Sequence, residues 1–425
     1  MIDSTSSDNT RADIRVRDFY IARQPILGPG QALYGYELLF RSAPAAPASI
    51  DTHLSATASV IAHAAQLGLQ KVLGDACGFL NVDATVLTSD IFAFLPREKI
   101  VLEIVESMQP NAPLLERIAQ LRGHGFRFAL SDVITDLPDG DPLLPMVDYV
   151  KLNLRCTTQP ALQRLAPRLK GAGKKLVAQK VETYEEFDTC KALGFDYFQG
   201  FYFARPAILS GRKLSPGQAA LLELMNLVVS DADNIVIERA LKKDVTLALN
   251  LLRIVNTPAV GAGHRIESVS QALTVLGRRQ LQRWLQIMLY AEPAQRGQGM
   301  PPLLTLAAAR GRLMELLAQR LRPGQRSVPD IAFTVGIMSL MDALFGMPMD
   351  EIVQQVPVGD DVAAALLRRT GFFGELLSLA ENIEMDEGEQ KVAPALAGLA
   401  LSAGELGELE IAAFEWSDSV ARYAI

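Results

Sequence analysis

The chain has 425 residues, 49% of them apolar and 21% charged, with a formal net charge of -7. That length exceeds what one hydrophobic core usually organises, so two domains are expected. The acidic balance, with no dense Lys/Arg run, argues against nucleic acid as the main partner, because phosphate neutralisation supplies most non-specific affinity.

Residues 1–17 are rich in Ser, Thr, Asp, Asn and Arg and lack the apolar core of a signal peptide, which predicts a disordered tail. Cys77, Cys156 and Cys190 are odd in number and far apart, which suits structural thiols in a reducing compartment. No apolar run looks long enough to span a bilayer, which needs about 18 to 20 residues, so a cytoplasmic protein without a membrane segment is expected.

Phe19 to Ile26 and Ala32 to Arg41 are β-like runs around Gly28-Pro29-Gly30, the pattern of a hairpin. A helix is predicted over 55–67, closed by Gly68. Strand candidates then alternate with helices: Gly78 to Val82, Ile100 to Ile104, Phe126 to Leu130, Tyr149 to Leu152, Lys175 to Ala178 and Tyr197 to Phe203. Repeated alternation argues for a parallel sheet covered by helices, here a compact TIM-like (β/α)8 barrel over 18–207.

Polar residues punctuate the ends of these strands. Glu37 sits in YGYELLFR, Asn81 in FLNV, Glu103 and Glu106 in VLEIVES, Ser131 and Asp132 in FALSDV, and Lys151 and Asn153 in YVKLNL. Gln179, Lys180, Glu182 and Gln199 follow in the last two units. One carboxylate at a strand end is more often a solvated group or a salt-bridge partner. Five strands ending alike point to a site, since converging oxygen ligands are what a hard cation such as Mg2+ requires.

AQKVET followed by GFDYFQGFYFARP resembles the last two active-site strands of EAL domains, the cyclic di-GMP phosphodiesterases, whose usual wording is AEGVET and then G-x-D-x-x-QGY-x-x-x-x-P. YELLFR stands at the E-A-L-x-R signature. The resemblance implies metal ligation by Glu37, Asn81, Glu103 and Asp132, with Glu106 as the second Glu of E-x-x-E. It further implies catalysis by Lys151 and dinucleotide contacts by Arg41, Glu182 and Gln199. Three departures accompany it. Ser131 replaces the first Asp of an Asp pair, Asn153 replaces the Asp of K-I-D, and Gln179 replaces a Glu implicated as general base. Loss of a general base costs about 10²- to 10⁴-fold. The segment VITDLPDGDPLLP also lacks the Phe-Gly and Ser pair of the family's loop.

A linker is expected at 208–215, and from 216 to 425 the β signal nearly vanishes. Apolar residues recur at helical spacing over Ala219 to Val229, Ile235 to Leu241, Val245 to Val255, Val269 to Leu276 and Arg278 to Tyr290. Further helices are predicted at Leu303 to Arg322, Ile331 to Phe345, Met349 to Gln355, Asp360 to Arg368, Phe373 to Ile383 and within Val392 to Trp416. DVTLALNLLRIVNTPAVG, SVSQALTVLGRRQLQRWLQIM and AFTVGIMSLMDALFG resemble the HDOD module, a relative of HD phosphohydrolases. Where an HD enzyme has its metal-binding His-Asp pair, this chain has Thr334 to Ser339, so no HD metal triad is expected. His264, in a glycine-rich loop, reads as a surface residue.

Together the halves resemble the EAL-HDOD family of bacterial signalling proteins. The expectation from the departures is a non-catalytic regulator working through protein contacts, with no intact catalytic residue, Lys151 and Gln179 vestigial, and no cofactor. The alternatives are a cyclic di-GMP receptor or a weak phosphodiesterase using Mg2+ or Mn2+.

Overall fold

The computed structural model describes residues 19–42, 69–88, 92, 95–105, 110–133, 140–204, 216–257, 265–291, 302–356, 358–385 and 389–424. The expected tail, the 55–67 helix, the linker, Glu106, His264 and residues 134–139 lie outside them.

Eight strands close into a barrel in the order β1-β2-β3-β4-β5-β6-β7-β8. These are β1 (Phe19–Leu27), β2 (Leu33–Ser42), β3 (Cys77–Asn81) and β4 (Ile100–Val105). The remainder are β5 (Arg127–Val133), β6 (Tyr149–Asn153), β7 (Lys175–Gln179) and β8 (Tyr197–Gln199). The strands from β2 to β8 pair in parallel with their successors, whereas β1 runs antiparallel to both β2 and β8. The β1–β2 pair is the hairpin expected around Gly28-Pro29-Gly30, and the parallel sheet expected from alternation runs from β2 to β8. The short 28–30 turn returns the chain directly, and a turn of that length can join only antiparallel strands.

Helices α1 (Leu69–Leu73), α2 (Ala84–Leu87), α3 (Ala112–Gly123), α4 (Gln159–Gly171) and α5 (Tyr184–Ala192) belong to the barrel. Their starts are locally specified. Asn111 caps α3 by accepting from Leu114 N, and Thr183 with Glu186 forms a capping box on α5. Outward residues such as Leu102, Val150, Leu152 and Leu176 pack against these helices. Inward residues Ile26, Phe79, Val101, Ala129, Tyr149 and Val177 fill the barrel. Below them Tyr34 stacks on Tyr197, ring centroids 3.9 Å apart, and its hydroxyl meets that of Tyr149 at 2.5 Å.

The second half is helical: α6 (Pro216–Val229), α7 (Asn234–Lys243), α8 (Val245–Val255), α9 (Val269–Ala291), α10 (Pro302–Leu321) and α11 (Ser327–Met338). It continues with α12 (Met341–Phe345), α13 (Met349–Gln355), α14 (Asp360–Arg368), α15 (Gly371–Glu384), α16 (Glu389–Gly398) and α17 (Ala403–Ala424). Gly277, at φ 67° and ψ 168°, interrupts α9 at the junction between the two helices read from sequence. Its left-handed backbone is one that glycine adopts without a Cβ penalty. The expectation that no apolar run reaches spanning length needs correction. Ser327–Phe345 is long and apolar enough to cross a membrane by length and composition, and 67% of it is buried inside the helical half.

The halves share an interface built on β1. Only Ile26 and Leu27 of this strand pair with β8, which leaves the stretch before Ile26 as an open edge. Glu410 on α17 accepts a hydrogen bond from Ile21 N at 3.0 Å, so a carboxylate satisfies an edge amide. Arg23 bonds Asp418 at 3.0 Å and lies between the Tyr36 and Phe414 rings, 4.3 and 4.1 Å from their centroids. Tyr20 and Ala22 join the core of the helical half.

Candidate active site

Side chains alternate across a strand, so residues two apart share a face. This rule assembles the site. Tyr149, Lys151 and Asn153 face inward on β6, Val177 and Gln179 on β7, Val101 and Glu103 on β4, and Phe79 and Asn81 on β3. The inward apolar residues occupy the barrel's middle, and the next inward residue along each parallel strand is polar. A ring of polar groups therefore forms at the C-terminal mouth, where barrels of this kind place their chemistry.

Lys151 stands at its centre, fully buried. Its Nζ donates to Glu37 Oε2 and Glu103 Oε1, each at 2.6 Å. Asn81 Nδ2 donates to the other Glu37 oxygen at 2.9 Å, and Gln199 Nε2 donates to Glu37 Oε2 at 2.7 Å. Burial works to raise the Glu37 pKa, but the Lys151 charge and the three hydrogen bonds outweigh it and hold this carboxyl below its usual range. Glu103 is pushed up to about 8, by burial first and then by the Glu37 charge, although Lys151 opposes this. For Lys151, burial favours the neutral amine, and the two carboxylates overcome it, so its pKa rises.

One lysine is shared by two carboxyl groups in a buried place, and the second of them, Glu103, is driven toward its neutral form. Glu103 Oε2 and Gln199 Oε1 are buried and accept no hydrogen bond. Buried acceptors are rarely left unpaired, and each costs about 1–3 kcal/mol. Among the described residues no three His, Cys, Asp or Glu side chains come together closely enough to hold a metal unaided. The fit to a divalent cation rests instead on two glutamates, the Asn81 amide and the unpaired oxygens, a hard donor set suited to Mg2+ or Mn2+.

Two of the three departures contact Asp132, and the third, Ser131, precedes it on β5. Gln179 Oε1 accepts from Asp132 N at 3.4 Å, Asn153 Nδ2 donates to Asp132 Oδ1 at 3.3 Å, and Ser131 Oγ donates to Ile104 O at 3.5 Å. Asp132 is exposed at the mouth with φ 54°, and Lys180 has φ 57°. Left-handed backbone at non-glycine residues costs about 1–3 kcal/mol and clusters at functional sites.

Two other expected contacts stand apart from the cluster. Glu182 follows β7, with Arg155 Nη1 3.9 Å from its carboxylate. The Arg41 backbone lies in β2 opposite Tyr20, and its side chain is outside the described residues. One member went unnoticed in the sequence. Gln24 on β1 is buried and accepts from Gln199 Nε2 at 2.9 Å. Its only sequence signal is a polar residue paired in register with Glu37 across the hairpin.

Family models for the EAL domain and the HDOD domain match residues 8–206 and 218–350, in that order. A Vibrio cholerae protein named cyclic di-GMP phosphodiesterase CdgJ is 31% identical over 86% of this chain and 84% of its own. The chain belongs to the EAL-HDOD family. A second relative, the uncharacterized Bacillus subtilis protein YuxH, is 28% identical over 86% of this chain and 90% of its own. A solved EAL protein from Vibrio cholerae O395, in its c-di-GMP bound form, is 23% identical over 44% of this chain and 92% of its own, with a TM-score of 0.35.

The relative named as a phosphodiesterase, matching across both halves, overturns the expectation of a non-catalytic regulator. That expectation counted Ser131 and Gln179 as lost groups. In the fold Gln179 accepts from the Asp132 amide and Ser131 donates to the Ile104 carbonyl, while Glu37, Asn81, Glu103, Lys151 and Gln199 meet at hydrogen-bonding distance.

Proposed function

We propose that the barrel hydrolyses cyclic di-GMP, opening one phosphodiester linkage to give the linear dinucleotide in a reaction that needs a divalent cation. The observation that carries this reading is the meeting of Glu37, Asn81, Glu103, Lys151 and Gln199 at one barrel mouth. The name of the Vibrio cholerae relative agrees with it.

Glu37, Asn81, Glu103 and Asp132 would hold the cation, in place of the cofactor-free site expected from sequence. When bound, such an ion lowers the pKa of a coordinated water and draws charge from phosphoryl oxygens. Lys151, kept protonated by its two carboxylates, supplies a fixed positive charge in a water-poor setting, where it best stabilises charge developing on the phosphoryl group. Gln199 holds Glu37 in place from the neighbouring β8. Gln179 has no proton-accepting group at neutral pH, and its role is to hold Asp132 through the backbone. The proton of the attacking water then leaves to solvent at the mouth, so turnover is slow relative to a site with a carboxylate base, by about 10²-fold or more. Arg41 and Glu182 are proposed contacts to the dinucleotide.

The test is turnover of cyclic di-GMP by the full chain in Mg2+ and in Mn2+, with EDTA and Glu37→Ala as controls. Linear dinucleotide that disappears in both controls supports the reading. Tight binding with no product in either metal removes it.

A further inference from the structure

We propose that Gln24 is a positioning residue that ties the active-site carboxylate Glu37 to the helical half, so that docking of that half sets the geometry of the cation site. This rests on the reading of the barrel as a cation-dependent site. Gln199 has two amide hydrogens: one goes to Glu37 Oε2 at 2.7 Å and the other to Gln24 Oε1 at 2.9 Å. On its other side Gln24 Nε2 points at the Glu384 backbone carbonyl at the C-terminal end of α15, 3.5 Å away. Gln24 and Gln199 are both buried, so no bulk water substitutes for either amide.

The far end of this relay is rigid. Arg310 on α10 clamps the Glu384 carboxylate with two hydrogen bonds, at 3.0 and 2.5 Å, and donates to Ser339 Oγ at 2.7 Å. Around Gln24 the same stretch of β1 carries the Arg23–Asp418 ion pair and the Ile21–Glu410 bond. Rotation of the Gln24 amide, or withdrawal of α15, would leave Gln199 without one acceptor and Glu37 without a fixed donor. Partners one shell behind a metal ligand typically govern about 10- to 100-fold in metal affinity or activity.

The experiment measures Mn2+ affinity of the full chain without substrate, by electron paramagnetic resonance, for wild type, Gln24→Leu, Arg23→Met and the double variant. Thermal melts check folding, with Gln24→Met and Asp418→Asn as milder substitutes. Gln24→Leu should weaken Mn2+ binding about tenfold, Arg23→Met should weaken it in the same direction, and the double variant should be no weaker than the worse single. In turnover, the loss should fall on kcat while KM for the dinucleotide holds. Mn2+ affinity within twofold of wild type in Gln24→Leu overturns the proposal. Multiplying effects, or an unaffected Arg23→Met, overturn the link to the helical half. If wild type binds Mn2+ without turnover, the phosphodiesterase reading fails, while the affinities still decide the role of Gln24.

Discussion

Each half of the molecule buries a cluster of charges, and the two clusters differ in how completely they are paired. In the helical half, Arg310 spends its donors on Glu384 and Ser339, and Glu315 is held by Arg283 and Arg312 at 2.7–2.8 Å. No side-chain oxygen of Glu315, Glu384 or Ser339 is left buried without a partner, and the unpartnered atom beside Glu315 is a donor, Arg312 Nε. In the barrel, Lys151 is shared by two carboxylates, and Glu103 Oε2 and Gln199 Oε1 accept nothing. A paired cluster fixes how helices pack. An unfinished one at a barrel mouth, beside two left-handed non-glycine residues, is arranged to receive something.

The strongest challenge to this contrast removes the central cation from each cluster. Lys151→Met and Arg310→Met should each destabilise the chain by about 3–5 kcal/mol, since each strands a buried carboxylate. Urea unfolding should then separate them. Added Mn2+ should stabilise every variant that keeps the barrel site, because a ligand that binds only the folded state stabilises it; the gain should exceed that of wild type in Lys151→Met, which frees two carboxylates for the ion, and should not in Arg310→Met. Equal gains, or none in either, would erase the distinction.

A smaller effect is expected from Glu37→Ala, which removes a proposed ligand. It should lower kcat by more than about a hundredfold, the upper figure for loss of an outer partner. Conversely, the paired change Ser131→Asp with Gln179→Glu should raise kcat about tenfold or more by returning a proton acceptor beside Asp132. Unchanged kcat there would mean that the polar frame around Asp132 holds the new carboxylates out of reach. Least of all should follow from Arg155→Ala. Its pairs with Glu182 and Glu186 lie at the surface, so a melt should register about 0–1 kcal/mol.

Much of the site was legible because alternation is rigid. Once Tyr149 faces inward, Lys151 must as well, and a polar residue ending an apolar strand is visible in the sequence. What Ser131, Asn153 and Gln179 do was not legible. Each was read as a missing acid, but Asn153 and Gln179 share Asp132 only when β5, β6 and β7 lie side by side, and Ser131 donates to the Ile104 carbonyl on β4. Gln24 was hidden for a related reason. Its partners lie 175 and 360 residues away, and one is a backbone carbonyl that no motif encodes. The helical half was read well as helices, down to the break at Gly277, because its apolar spacing is regular. Its docking on β1 depends on the open edge of a strand whose antiparallel pairing with β8 alternation does not reveal.

The central claim is that the unfinished cluster in the barrel is a working hydrolytic site. The most direct measurement incubates the full chain with cyclic di-GMP in Mn2+ and resolves the products by chromatography, beside Glu37→Ala and an EDTA control. The account predicts linear dinucleotide from the wild-type chain and none from either control. Intact cyclic di-GMP after prolonged incubation with a molar excess of wild-type protein would contradict it.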